Sequence, residues 1–136
     1  MDNLAMNWWA VIVAAVAYFA LGAVWYSPVL FSKAWLKGIG KTKEQIDAGF
    51  SPLVLVWAFV FSFIASYGIA RLYVWSHLAT AWDGIVLGLL CGTCFALPTF
   101  AINDIFEQRP RQLSFINVLY HIAGFVLMGV IIGAWH

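Results

Sequence analysis

The sequence predicts an all-α integral membrane protein: a four-helix bundle with short interfacial helices in its first cytoplasmic loop. Three observations predict it. Hydrophobic residues fill 64% of the 136 positions and charged residues 10%, with a mean hydropathy of +0.90. Soluble domains run at about 45–50% apolar and about 25% charged, and a soluble globule this small has too little interior to hide so much apolar surface. Second, four charge-poor runs each reach the length of about 20 residues that a bilayer-spanning helix needs. Third, these runs do not alternate in polarity, as the shorter strands of a membrane β-barrel do. Residues 1–136 are expected to form a single transmembrane domain.

The first span is expected over residues 7–26, which carry no charge. Only Asp2 precedes it, where a cleavable signal peptide carries basic residues, so no cleaved signal is expected. Ser27-Pro28 reads as an N-cap followed by proline at the first helical position. It predicts a short helix from Pro28 to Lys37, stopped by Gly38. Phe31 and Trp35 lie four apart in it, as do Lys33 and Lys37, the pattern of a helix lying among lipid headgroups. Thr42-Lys43-Glu44-Gln45 matches a capping box and predicts a second short helix. Ser51-Pro52 opens the second span, residues 52–75. Thr80 and Asp83 cap the third, residues 81–102, where Pro98 predicts a kink. Asp83 is also placed to pair with Arg71. Ser114 is the expected cap of the fourth span, residues 113–135.

Lysine and arginine counts set the expected orientation. Lys33, Lys37, Lys41 and Lys43 follow the first span, and Arg109 and Arg111 follow the third; Arg71 stands alone on the other side. Six against one puts these two loops in the cytoplasm and both termini outside, with a bacterial inner membrane the expected location. Trp8, Trp9, Tyr73, Trp75, Trp82 and Trp135 are expected at the outer interface, and Trp25, Tyr26 and Trp35 at the inner one.

Polar residues inside the spans are the most informative positions, because they are costly in lipid and face the bundle interior. Ser114, Asn117, His121, Gly124 and Met128 step by three, four, three and four, forming one stripe on the last helix. At 1.5 Å per residue His121 lies roughly 12 Å in from the cytoplasmic end. Tyr26 and Ser27 end the first helix at that depth, and Asn103 and Asp104 end the third. These six polar groups (His121, Asn117, Asp104, Asn103, Tyr26 and Ser27) are expected to converge on one site. Interhelical hydrogen bonds that lock the bundle are the plainer reading of it, a ligand or ion site the sharper one, and a metal or haem ligand the least favoured.

Glycines at four-residue spacing let helices approach closely. Gly84, Gly88 and Gly92 form one such ladder, Gly129 and Gly133 another, and Gly124 lies on the stripe itself. Their faces suit packing inside the bundle or a subunit interface. Cys91-Gly92-Thr93-Cys94 lies mid-span without the βαβ context of a redox motif, so both thiols are expected to pack on one face.

Two stretches resemble a known family. Gly22-x-x-Trp25-Tyr26-Ser27-Pro28-x-x-Phe31-x-x-x-Trp35 resembles the start of the uncharacterised membrane family known as domain of unknown function 1761. His121-x-x-Gly124-Phe125-x-x-Met128-Gly129-x-x-x-Gly133-x-Trp135 is similar to that family's last helix. The resemblance covers nearly the whole chain. It implies a small four-helix membrane protein and implies no reaction.

A net charge of +1 leaves no basic surface for nucleic acid. No metalloprotease, hydrolase-elbow or phosphate-loop motif is visible, and no acid lies mid-membrane to couple protons. No enzyme activity, metal or cofactor is expected, with bound lipid the one ligand class left open. The expected role is a helix-packing accessory or structural subunit, self-assembled or docked on a larger membrane complex. The alternative is a small homo-oligomeric transporter or channel with its polar site around His121. Expected partners are membrane lipids, further copies of the chain, or other membrane subunits.

Overall fold

A computed structural model describes residues 5–136. Asp2, on which the expectation of an uncleaved start rests, lies outside them. Helix α1 spans Trp8–Trp25, α2 Ser32–Ile39, α3 Lys43–Ala48, α4 Pro52–Trp75, α5 Ala81–Cys91, α6 Leu97–Phe106 and α7 Arg111–Ala134; a π-helical turn, Gly92–Ala96, joins α5 to α6. Four helices are long and apolar enough to cross a membrane: α1, α4, the continuous run Ala81–Phe106, and α7.

Side-chain caps start α1, α3, α4 and α5. The Asn7 side chain accepts hydrogen bonds from the backbone N–H groups of Trp9 and Ala10, satisfying donors that no helical carbonyl reaches. Its amide donates to the Trp135 carbonyl at 2.7 Å, tying the start of α1 to the end of α7. Thr42 with Gln45 and Thr80 with Asp83 form reciprocal capping boxes. Ser51 caps α4, with Pro52 in its first turn.

Several boundaries differ from expectation. Ser27 does not open a helix at Pro28: its hydroxyl donates to the Val24 carbonyl at 2.6 Å, and residues 27–31 form turns before α2 begins at Ser32. That helix ends at Gly40, whose φ of +71° is the left-handed conformation glycine tolerates, and not at Gly38. Ser114 does not cap α7, which starts earlier, after Pro110. Asp83 spends its carboxylate on Thr80 and Ala79, and Arg71 donates instead to the Tyr67 hydroxyl at 3.1 Å. Tyr73 is buried within the bundle and donates to the Thr80 carbonyl at 3.0 Å.

Pro98 acts by widening a turn. It has no N–H to offer the carbonyl four residues back, and its ring crowds that carbonyl. The helix answers with i→i+5 bonding, in which the Leu97 N–H donates to the Gly92 carbonyl. This π turn offsets α6 from α5. It also turns Cys94 outward while Cys91 stays buried, so the two thiols do not share a packed face.

Helix α7 is the hub. It packs most extensively on α5, then on α1, and also meets α4, α2 and α6. Glycine permits the α5–α7 approach: a Cβ at Gly84 would collide with the Gly129 carbonyl, and one at Gly88 would stand 2.8 Å from the Val126 Cα. Gly133 lies against the Thr80 carbonyl and Gly92 against Ile122. Val11, Ala14, Tyr18, Ile69, Ala70, Tyr73, Cys91, Met128 and Ile132 form the core. All these residues but Cys91 come from α1, α4 and α7. Beyond the π turn α6 keeps only a short contact with α7. At the same end every residue of Pro52–Ala58 on α4 is exposed. The bundle is closed at the end holding Asn7 and Trp135 and splayed at the lysine-loop end.

Candidate functional site

The polar cluster lies between α1 and α7 and is built from tyrosines. The Tyr18 hydroxyl and His121 Nδ1 share a hydrogen bond. Tyr26 donates its hydroxyl proton to Asn117 Oδ1 at 2.8 Å. The Tyr120 hydroxyl donates to the Tyr18 carbonyl at 3.2 Å, and Trp25 Nε1 donates to the Ile116 carbonyl at 3.0 Å. Four side-chain bonds thus cross one helix pair.

Two glycines make the crossing possible. A Cβ at Gly124 would collide with the Cδ2–Cε2 edge of the Tyr18 ring, and one at Gly22 would lie 2.8 Å from the Tyr120 hydroxyl oxygen. Each helix offers a notch for the other's tyrosine, and the two rings stack at 5.2 Å between centroids with 18° between planes. Phe100 covers the His121 ring from α6, stacked at 4.6 Å and 13°. Trp35 packs on Tyr26 and Phe31 on Trp25, at 5.3 Å and 4.8 Å. Helix α2 therefore folds its aromatic face onto the end of α1.

Of the six residues expected to converge, His121, Asn117 and Tyr26 lie within this cluster. Ser27 stays in its local turn, and Asn103 is exposed on α6. Asp104 is buried but faces another partner: its Oδ1 lies 3.8 Å from Arg109 Nε, and its Oδ2 is buried with no hydrogen-bond partner. The π turn sets their positions, because α6 leaves α7 before Asn103 reaches the polar groups. Sequence reasoning missed Tyr18, Tyr120 and Phe100. The signal for the first two was available in Gly22 and Gly124, small residues that leave room for a ring across a helix pair.

The two motif stretches noted in the sequence meet here. Gly22, Trp25 and Tyr26 meet α7 at Tyr120, Ile116 and Asn117, with Phe31 and Trp35 packed on Trp25 and Tyr26, while Gly124 and Phe125 hold Tyr18 from deeper in the bundle. The family model of a protein of unknown function, DUF1761, matches residues 9–133. The chain belongs to the DUF1761 family. This DUF1761 chain is also similar to the Protein TsgA homolog of Enterobacter sp. (strain 638), 32% identical over 99 residues. The match takes in 71% of the present chain and 22% of that protein, so the chain spans less than a quarter of its curated relative. No solved structure matches the chain.

Chemically, the cluster is a set of donors and acceptors that bond across the helix pair. Among the described residues no group of three or more histidine, cysteine or acidic side chains is arranged to hold a metal ion.

Proposed function

We propose that this DUF1761 protein is a helix-packing membrane subunit that acts through its outer faces, on further copies of itself or on a larger membrane protein. The observation that carries this reading is the splayed end of α4. Leu53, Val54, Leu55, Val56 and Trp57 are all about half exposed, whereas Ser66, Ile69, Ala70 and Tyr73 on the same helix are buried. Only 17–33% of each span is buried within the chain, so most of the apolar surface is left for lipid or for other helices.

Two further facts support it. Four side-chain hydrogen bonds join α1 to α7 directly, which suits a lock between helices better than a binding cavity. And a segment similar to this chain occurs within a much longer polypeptide, the relative from Enterobacter. A unit found inside a larger chain in one case fits docking against neighbours in another.

The six lysines and arginines in the 32–43 and 109–111 stretches favour a cytoplasmic lysine loop and outside termini. On a background with Cys91 and Cys94 replaced, a Thr42→Cys variant should resist an impermeant thiol reagent applied to intact cells. Labelling from outside reverses the orientation. The role itself is tested by purification at native expression level in a mild detergent. A particle holding more than one polypeptide supports a packing subunit; a single 15.1 kDa chain refutes it.

A further inference from the structure

A cleft of about 720 Å³ opens between α6 and α7, away from the polar cluster. Its polar groups all stand at the lysine-loop end: Asp104, Gln108, Arg109, Arg111 and Ser114. Its deeper wall is apolar, with Leu97, Ala101, Val118, Leu119 and Ile122. A second groove of about 420 Å³, lined by Trp25, Phe31 and Ala34, runs along the other side of α7. Arg111, Phe115 and Leu119 line both grooves, so these residues form a ridge with a slot on each flank and one arginine at its head.

We propose that this ridge seats one diacyl anionic phospholipid, with a hydroxyl-bearing headgroup such as phosphatidylglycerol. Four features select that occupant. The polarity of the cleft runs as a lipid's does, charged at the membrane surface and apolar toward the midplane. The wall from Arg111 to Ile122 rises about 16 Å at 1.5 Å per residue, the depth of one leaflet of a hydrocarbon core about 30 Å thick. Two slots flanking one ridge match two acyl chains. Charge then chooses the head. Arg109 Nε donates to Glu107 Oε2 at 2.5 Å, outside the cleft lining, and lies 3.8 Å from Asp104, while Arg111 has no acidic partner among the described residues and balances one phosphodiester. Asp104 Oδ2, buried and without a donor, is left to accept from a headgroup hydroxyl, since Arg109 is already bonded to Glu107.

The test is native mass spectrometry of the full-length protein in detergent, titrated with palmitoyl-oleoyl phosphatidylglycerol, phosphatidylmethanol or phosphatidylcholine. One phosphatidylglycerol per chain should be retained, above phosphatidylmethanol, which lacks the hydroxyl, and well above phosphatidylcholine. An arginine near the membrane surface contributes about 1 kcal/mol, so Arg111→Gln should weaken retention about fivefold. Lys33→Gln, at the same end but outside both grooves, should leave it unchanged. Leu119→Trp should fill the slots and abolish retention with the helical circular dichroism intact. Equal retention of phosphatidylcholine, or an equal loss with Lys33→Gln, overturns the proposal. Displacement by free glycerol phosphate at matched concentration reduces the site to an anion site and also overturns it. If no lipid is retained and Leu119→Trp converts a dimer to a monomer, the occupant is a second copy of the chain and the lipid assignment fails.

Discussion

Gly88→Ala is the sharpest perturbation of the α5–α7 seam, because the atoms it meets cannot turn away. The new Cβ would stand 2.8 Å from the Val126 Cα and closer still to the Phe125 carbonyl, where carbon pairs settle at about 3.5–4.0 Å. These are backbone atoms, so relief requires the helix axes to part by about 0.7–1.2 Å. A gap of that order forfeits roughly a quarter to a half of each atom pair's attraction along the seam. Overpacking of this kind costs about 1–3 kcal/mol. Replacing a helical glycine by alanine returns up to about 1 kcal/mol, which leaves a net loss of up to about 2 kcal/mol when that gain is full. Gly68→Ala is the matched control: on α4 its Cβ meets nothing within 4 Å, so only the gain from helix propensity remains. The assay is denaturation in detergent, followed by circular dichroism, with spin-label distances between α5 and α7 measured in parallel. Gly88→Ala should lower stability and lengthen the distance, while Gly68→Ala should do neither. Equal behaviour of the two variants refutes the close-approach argument.

Three other outcomes are expected. Tyr18→Phe and His121→Phe, singly and together, should show a coupling near 0.6 kcal/mol, the average for hydrogen bonds between membrane helices, in a double-mutant cycle of unfolding; additive effects contradict the bond. Thr80→Ala removes a reciprocal cap and should cost about 1 kcal/mol, read in the same denaturation assay against Thr93→Ala, whose hydroxyl bonds only within its own turn. Pro98→Ala restores an N–H to the helix and should let the π turn relax to α-helix, drawing α6 toward α7; an unchanged spin-label distance between Ile102 and Phe115 positions argues that Pro98 does not set the π turn.

The four spans were legible because hydropathy over about 20 residues is a summed signal that no single contact overrides. Capping was legible where the side chain has no better partner, as at Thr42, Ser51 and Thr80. It failed at Ser27 and Ser114, where a helical or proline carbonyl lay within reach of the hydroxyl. The His121 stripe pointed to the right face of α7, but depth matching alone put Asn103 and Asp104 beside it. The π turn shifts helix phase by a residue, and a hydropathy pattern does not record where that turn falls. Tyr18 escaped notice because a tyrosine within an apolar helix looks like any large apolar residue until the notch at Gly124 is paired with it.

If the chain works through its outer helix faces, the splayed half of α4 is where a partner should be caught. A photo-reactive phenylalanine analogue placed at Trp57 or Phe61, both exposed, and at Tyr73 as a buried control, can be activated in living cells. The two exposed positions should form discrete adducts with a polypeptide, either this chain or one larger, while the control crosslinks only within the chain. Adducts with lipid alone at both exposed positions would contradict it.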